Sequence, residues 1–225
     1  MNHNNKGLTL IELLVVIGVI ALLAGIFVPS LAQARLRGKI LAVNADLRQI
    51  ALALQCYYFD YCEYPPTRED CSMGTLSDHL YQLPKQLEEG DYLPATSDNQ
   101  VMTTVMEDRF HKGYSYKYRS VGECIRDRDK IDKWIKTRLW VADGFPANES
   151  SVDEDGQWYD DPKDSPVTWT LFSLGPQFDA EWLDERAENR YPTSRQVWFN
   201  PEQKRGLLVR LRLHNGNEIG SFEGF

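Results

Sequence analysis

Glu12 is a carboxylate at the mouth of an apolar run. The 22 residues from Leu13 to Ala34, LLVVIGVIALLAGIFVPSLAQA, carry no charge. A lone carboxylate at such an edge is costly unless it is paired, so Glu12 calls for a partner. Other carboxylates gather at Asp153, Glu154, Asp155, Asp160, Asp161 and Asp164, and again at Asp179, Glu181, Asp184, Glu185 and Glu188. Calcium takes about six to eight oxygens on a bent loop. Either cluster could supply them, neither has EF-hand spacing, and solvated acidic loops of this kind are common. The four cysteines, Cys56, Cys62, Cys71 and Cys124, contain no Cys-x-x-Cys, and the histidines are scattered, which argues against zinc. In an oxidising compartment disulfides are feasible. Cys62 and Cys71 bracket a short proline-containing loop, and Cys56 could reach Cys124. Four cysteines allow three pairings, the sequence does not choose among them, and buried free thiols are the other reading. No Gly-x-Ser-x-Gly, His-Glu-x-x-His or phosphate loop occurs, so the chain does not read as an enzyme.

The elements that must position these residues are unlike in character. The 225 residues carry a net charge of -8, which excludes nucleic-acid phosphates as an obvious partner. The first 60 hold Lys6, Arg35, Arg37, Lys39 and Arg48 against Glu12, Asp46 and Asp60, a net of +2, leaving -10 for the rest. At ~1.5 Å per residue the uncharged run spans roughly 33 Å, the thickness of a bilayer's hydrocarbon core. Beyond it Leu36, Ile40, Val43, Leu47, Ile50, Leu54 and Tyr57 recur at steps of four and three, the stripe of an amphipathic helix. Residues 8 to about 59 therefore form one helix near 78 Å long at ~1.5 Å per residue, with a kink expected at Pro29. Pro65-Pro66 ends it. A short helix broken at Pro84 is expected within residues 75–94. Strands are expected at 114–120, 138–142, 167–174, 196–199 and 207–213, where Leu207 to Leu213 alternates apolar residues with arginine. The sum is α+β, one long helix on a small antiparallel sheet domain.

Lys6-Gly7-Leu8-Thr9-Leu10-Ile11-Glu12-Leu13-Leu14-Val15-Val16 resembles the prepilin cleavage and methylation motif, the start shared by type IV pilins and the pseudopilins of type II secretion. Leu8 stands where phenylalanine is more usual. Pro29 falls where the family's helix carries its proline. The resemblance implies a leader, residues 1–7, cut after Gly7 by a prepilin peptidase. It implies N-methylation of Leu8 and pairing of Glu12 with the amine of a neighbouring subunit, which would set filament register. The implied organisation is a transmembrane or filament-core helix over 8–34, its amphipathic continuation over 35–60, and an extracytoplasmic body over 61–225. The protein would sit in the bacterial inner membrane with its body in the periplasm, and would enter a filament with like subunits and an inner-membrane assembly platform.

Two later passages are similar to the major-pseudopilin branch: Gly113 to Ser120, and Leu171-Phe172-Ser173-Leu174-Gly175-Pro176. In that branch the loop after the second passage holds calcium, which here would fall to Leu174, Asp179 and Asp184. The family's usual Asp-Gly is replaced by Gln177-Phe178-Asp179. Other readings of the chain are a type IV pilus subunit, or a secreted or membrane-anchored binding module whose ordinary signal peptide is cleaved after Ala34, at Ala32-Gln33-Ala34. Arg35, Arg37, Lys39 and Arg48 follow the span, which by the positive-inside count alone would put the body in the cytoplasm.

Overall fold

A computed structural model of the protein describes residues 9–68, 83–93, 106–126, 130–147, 155–187 and 192–224. The chain divides into two compact units, Met1–Leu41 and Ala42–Phe225. One helix, α1 (Leu10–Tyr61), runs without interruption through the division, with Pro29 inside it. Its end is marked by Cys62, which takes the left-handed conformation (φ 58°) while its N–H donates to the Tyr58 carbonyl at 2.8 Å.

In the first unit the apolar side chains from Leu10 to Leu31 are exposed along the whole helix. By length and composition this segment can cross a membrane.

In the second unit the expected stripe is the buried one. Val43, Leu47, Ile50 and Leu54 are fully enclosed and Tyr57 nearly so. The small Ala51 and Ala53 are buried between them, which suits a helix lying close on a packed surface. The remaining elements are β1 (Thr67–Arg68), α2 (Gln86–Glu89), β2 (Lys117–Ser120), β3 (Gly122–Arg126), β4 (Lys130–Thr137), β5 (Leu139–Ala142), β6 (Gly156–Tyr159), β7 (Val167–Ser173), α3 (Ala180–Ala187), β8 (Leu208–Leu213) and β9 (Glu218–Gly220). They form sheets ordered β2-β7-β8-β9, β1-β3-β4 and β5-β6. All pairings are antiparallel except β1 with β3. The core lies on the four-stranded sheet, where Val167, Phe172, Val209, Leu211 and Leu213 pack with Leu139, Val141, Leu183 and Val197.

The arginines of β8 are more enclosed than simple alternation predicts. Arg210 is buried, its Nη1 2.6 Å from Glu218 Oε2 and its guanidinium 4.1 Å from the Phe222 ring centre. The side chains of Glu218 on β9 and Phe222 in the turn after it enclose the Arg210 guanidinium.

Several expectations need correction. Gln196 to Phe199 is not a strand: Arg195–Val197 is a 3-10 turn, and only Trp198 makes an isolated bridge, to Leu207. Of residues 75–94, those before 83 lie outside the described residues, and after Pro84 comes the four-residue helix α2. Strand β2 begins three residues later than expected, because the Tyr114 amide closes a turn onto the His111 carbonyl and Ser115 pairs separately with Glu107. Strands β1, β3, β4, β6 and β9 and helix α3 had no sequence expectation.

Candidate functional site: the head of the stem helix

Helix α1 starts in a reciprocal cap. Thr9 precedes the first helical residue, Leu10, and Glu12 is the third helical position. The Thr9 backbone N–H and hydroxyl each donate to Glu12 Oε2 at 2.8 Å. The Glu12 N–H donates to Thr9 Oγ1 at 3.3 Å. This is the Thr-x-x-Glu capping box, which satisfies helix-start donors that would otherwise lack partners. The carboxylate also lies at the positive end of the helix dipole. The carboxylate at the mouth of the apolar run is therefore partnered within its own chain. Its second oxygen, Oε1, has no partner among the described residues. The signal for this cap, a threonine three residues before a glutamate at the start of an apolar run, was present in the sequence. Gly7 and Leu8 lie outside the described residues.

The second candidate was the loop after β7, and its geometry does not suit calcium. Asp179 caps α3, with Oδ1 accepting from the Trp182 N–H at 3.2 Å. Its Oδ2 is paired with Arg205 Nη2. The Trp182 amide and then the Arg205 guanidinium hold this carboxyl below its usual range. A guanidinium already on the carboxylate opposes a second cation there. Asp184 lies inside α3, and its side chain is outside the described residues. Leu174 donates its N–H to Asp108 Oδ2 at 3.1 Å. Among the described residues no three His, Cys, Asp or Glu side chains converge as a metal-holding group. In the other acidic cluster Asp161 shapes a turn, its Oδ1 accepting from the Lys163 N–H at 3.0 Å. Asp153 and Glu154 are outside the described residues.

Asp108 organises this loop and carried no signal in the sequence. It is buried, accepts from Ser173 Oγ at 2.9 and 2.8 Å and from the Phe110 N–H at 2.9 Å, in addition to Leu174. Burial raises its pKa against the pull of these donors.

Cys56 and Cys62 are exposed free thiols, and Cys124 is a buried one, so the Cys56–Cys124 pairing is not made in this structure. Cys56 is exposed on α1, whereas Cys124 is fully enclosed on β3. Cys71 is outside the described residues. A cleft of about 630 Å³ beside Cys62 is lined by Tyr58, Tyr64, Lys163, Arg212 and His214 among others. It gathers no other residue of the expected site.

The chain matches the family described as the prokaryotic N-terminal methylation motif over residues 2–28, a span that contains Gly7, Leu8, Thr9 and Glu12. The N-terminal stem is type IV prepilin-like. Over 62 residues, 28% of the chain, it is 43% identical to the type IV wide pilus major component PilA4 of Thermus thermophilus, covering 47% of that protein. Over 67 residues, 30% of the chain, it is 35% identical to the type II secretion system core protein G of Pseudomonas aeruginosa, covering 47% of that protein. The chain thus spans about half the length of the curated relatives it matches. No solved structure matches it. The prepilin-like stem brings together the matched motif, the capping box and an exposed apolar helix, the features of a membrane-anchored pilin-like chain.

Proposed function

We propose that this chain is a pseudopilin, a structural, non-catalytic subunit of a type II secretion pseudopilus. A prepilin peptidase would cut between Gly7 and Leu8, and the new Leu8 amine would be methylated. The apolar helix would hold the subunit in the inner membrane with its body in the periplasm, and assembly on the inner-membrane platform would move that helix into the filament core. Glu12 Oε1 would then meet the Leu8 amine of a neighbouring subunit and set the register.

The observation that carries this reading is the capping box inside the methylation motif, at the head of a helix whose apolar side chains are exposed. A carboxylate with one oxygen bound and one open can accept a second donor without losing its first. The similarity to the type IV wide pilus component supports a second reading within the same class, a pilus subunit.

Mass spectrometry of the mature N-terminus tests the processing. A methylated chain beginning at Leu8 is expected, and a chain beginning at Arg35 would overturn it in favour of an ordinary signal peptide. A deletion strain separates the two filament readings. Loss of protein secretion with surface pili intact favours the pseudopilus, and loss of pili with secretion intact favours the pilus.

A further inference from the structure

The loop that follows β7 is closed by three contacts from outside itself. Asp108 holds Ser173 and Leu174 from below. Gly175, at φ +69°, lies against the segment that leads into β8, so closely that a Cβ there would come within 2.0 Å of the Gly206 carbonyl oxygen. Arg205, next to that glycine, reaches back to Asp179 and spreads its guanidinium over the Trp182 ring, 4.8 Å from the centre.

We propose that Arg205 serves as a built-in cation for this loop, filling by a covalently attached charge the role a divalent ion would fill, so that the loop is closed without metal.

Three properties of the site support this. One carboxylate oxygen caps α3 and the other takes the guanidinium, so Asp179 has both oxygens engaged. The guanidinium is fixed by the aromatic face as well as by charge, so its position does not rest on a partly exposed ion pair alone. Its carrier is itself anchored: the Asn200 N–H donates to the Arg205 carbonyl at 2.9 Å, and Asn200 Oδ1 accepts from Glu202 and Gln203 in the turn between them. A metal binding to Asp179 would have to displace both a cation and a helix cap. The inference concerns the body alone and does not depend on the filament reading.

The test is thermal unfolding of the full chain in detergent, with EGTA and with millimolar calcium chloride, for the wild type, Arg205→Met, Arg205→Lys, Asp179→Asn and the double variant Arg205→Met, Asp179→Asn. The wild-type midpoint should be the same in both solutions. Arg205→Met should lower it by several degrees in both, and Arg205→Lys by less, because it keeps the charge and loses the planar fork. Asp179→Asn keeps a capping oxygen but loses the charge that Arg205 meets, so in the double variant its loss should not add to that of Arg205→Met. A wild-type midpoint that rises with calcium and falls with EGTA would overturn the proposal. So would an Arg205→Met chain as stable as the wild type, or fully additive effects of Arg205→Met and Asp179→Asn.

Discussion

At the scale of single residues, Glu12 and Asp108 are carboxylates handled in opposite ways. Glu12 is exposed and takes two donors from Thr9. Under the proposed assembly, Glu12→Ala should leave leader cleavage intact and abolish incorporation into filaments, which co-purification with tagged wild-type subunits would measure. Thr9→Val removes only the hydroxyl, so it should weaken incorporation less than Glu12→Ala does. Asp108 is buried and carries a raised pKa. The native state therefore binds its proton more tightly than the unfolded chain does. Its contribution to stability is present below the ordinary carboxylate value of ~3.9 and is lost as pH rises through the raised native value. Asp108→Asn cannot titrate. The wild-type thermal midpoint minus that of the variant should fall as pH is raised across this window, and a difference that grows with pH would contradict the assignment. The Thr9–Glu12 cap was readable because both partners lie in one four-residue pattern. Asp108 was not, because Ser173 and Leu174 are far from it in sequence and only the fold brings them together.

At the scale of elements, the amphipathic half of α1 was fully readable, since its stripe at helical spacing needs no tertiary information. Leu47→Ala should cost ~2–5 kcal/mol by deleting an enclosed side chain from that stripe, as chemical unfolding would show. Asp46 sits on the same helix and takes a forked bond from Arg109, at 2.6 and 2.9 Å, with the Tyr116 hydroxyl donating at 2.8 Å. Burial, and then Asp46, raise the pKa of that hydroxyl. Asp46→Ala strips a buried donor of its acceptor and should cost ~1–3 kcal/mol in the same assay. The strands were read unevenly. β7 and β8 are rich in valine, leucine and aromatic residues, and they emerged close to their true bounds. β3 and β4 carry Glu123, Arg126, Lys130, Asp132 and Lys136, and their charge hid the pattern. α3 was hidden for a related reason. Its acidic residues gave it the look of a cation-binding loop, although Asp179 just before Ala180 is a good N-cap. At 196–199 the chain turns tightly through Arg195–Val197 and reaches only Leu207, just before β8, by a single bridge, so no strand forms.

At the scale of the molecule, the mean hydropathy of -0.46 averages two unlike parts. The charge deficit of -10 lies beyond residue 60, while the exposed apolar surface is concentrated before Leu41. A chain beginning at Ala42 should therefore stay in the aqueous phase on detergent phase separation while the full chain enters the detergent phase, and partitioning of both into detergent would show that the body has its own membrane affinity. Under the proposed function, the capping box would bear on a different quantity, the lifetime of the unassembled pool. A subunit held in a bilayer before recruitment must keep its ionised group from drawing water or stray cations into the lipid. Under the proposed assembly, Thr9 would occupy Glu12 from within its own first turn and let such a subunit wait as a monomer, so that assembly would be timed by the machinery and not by the subunit's own instability.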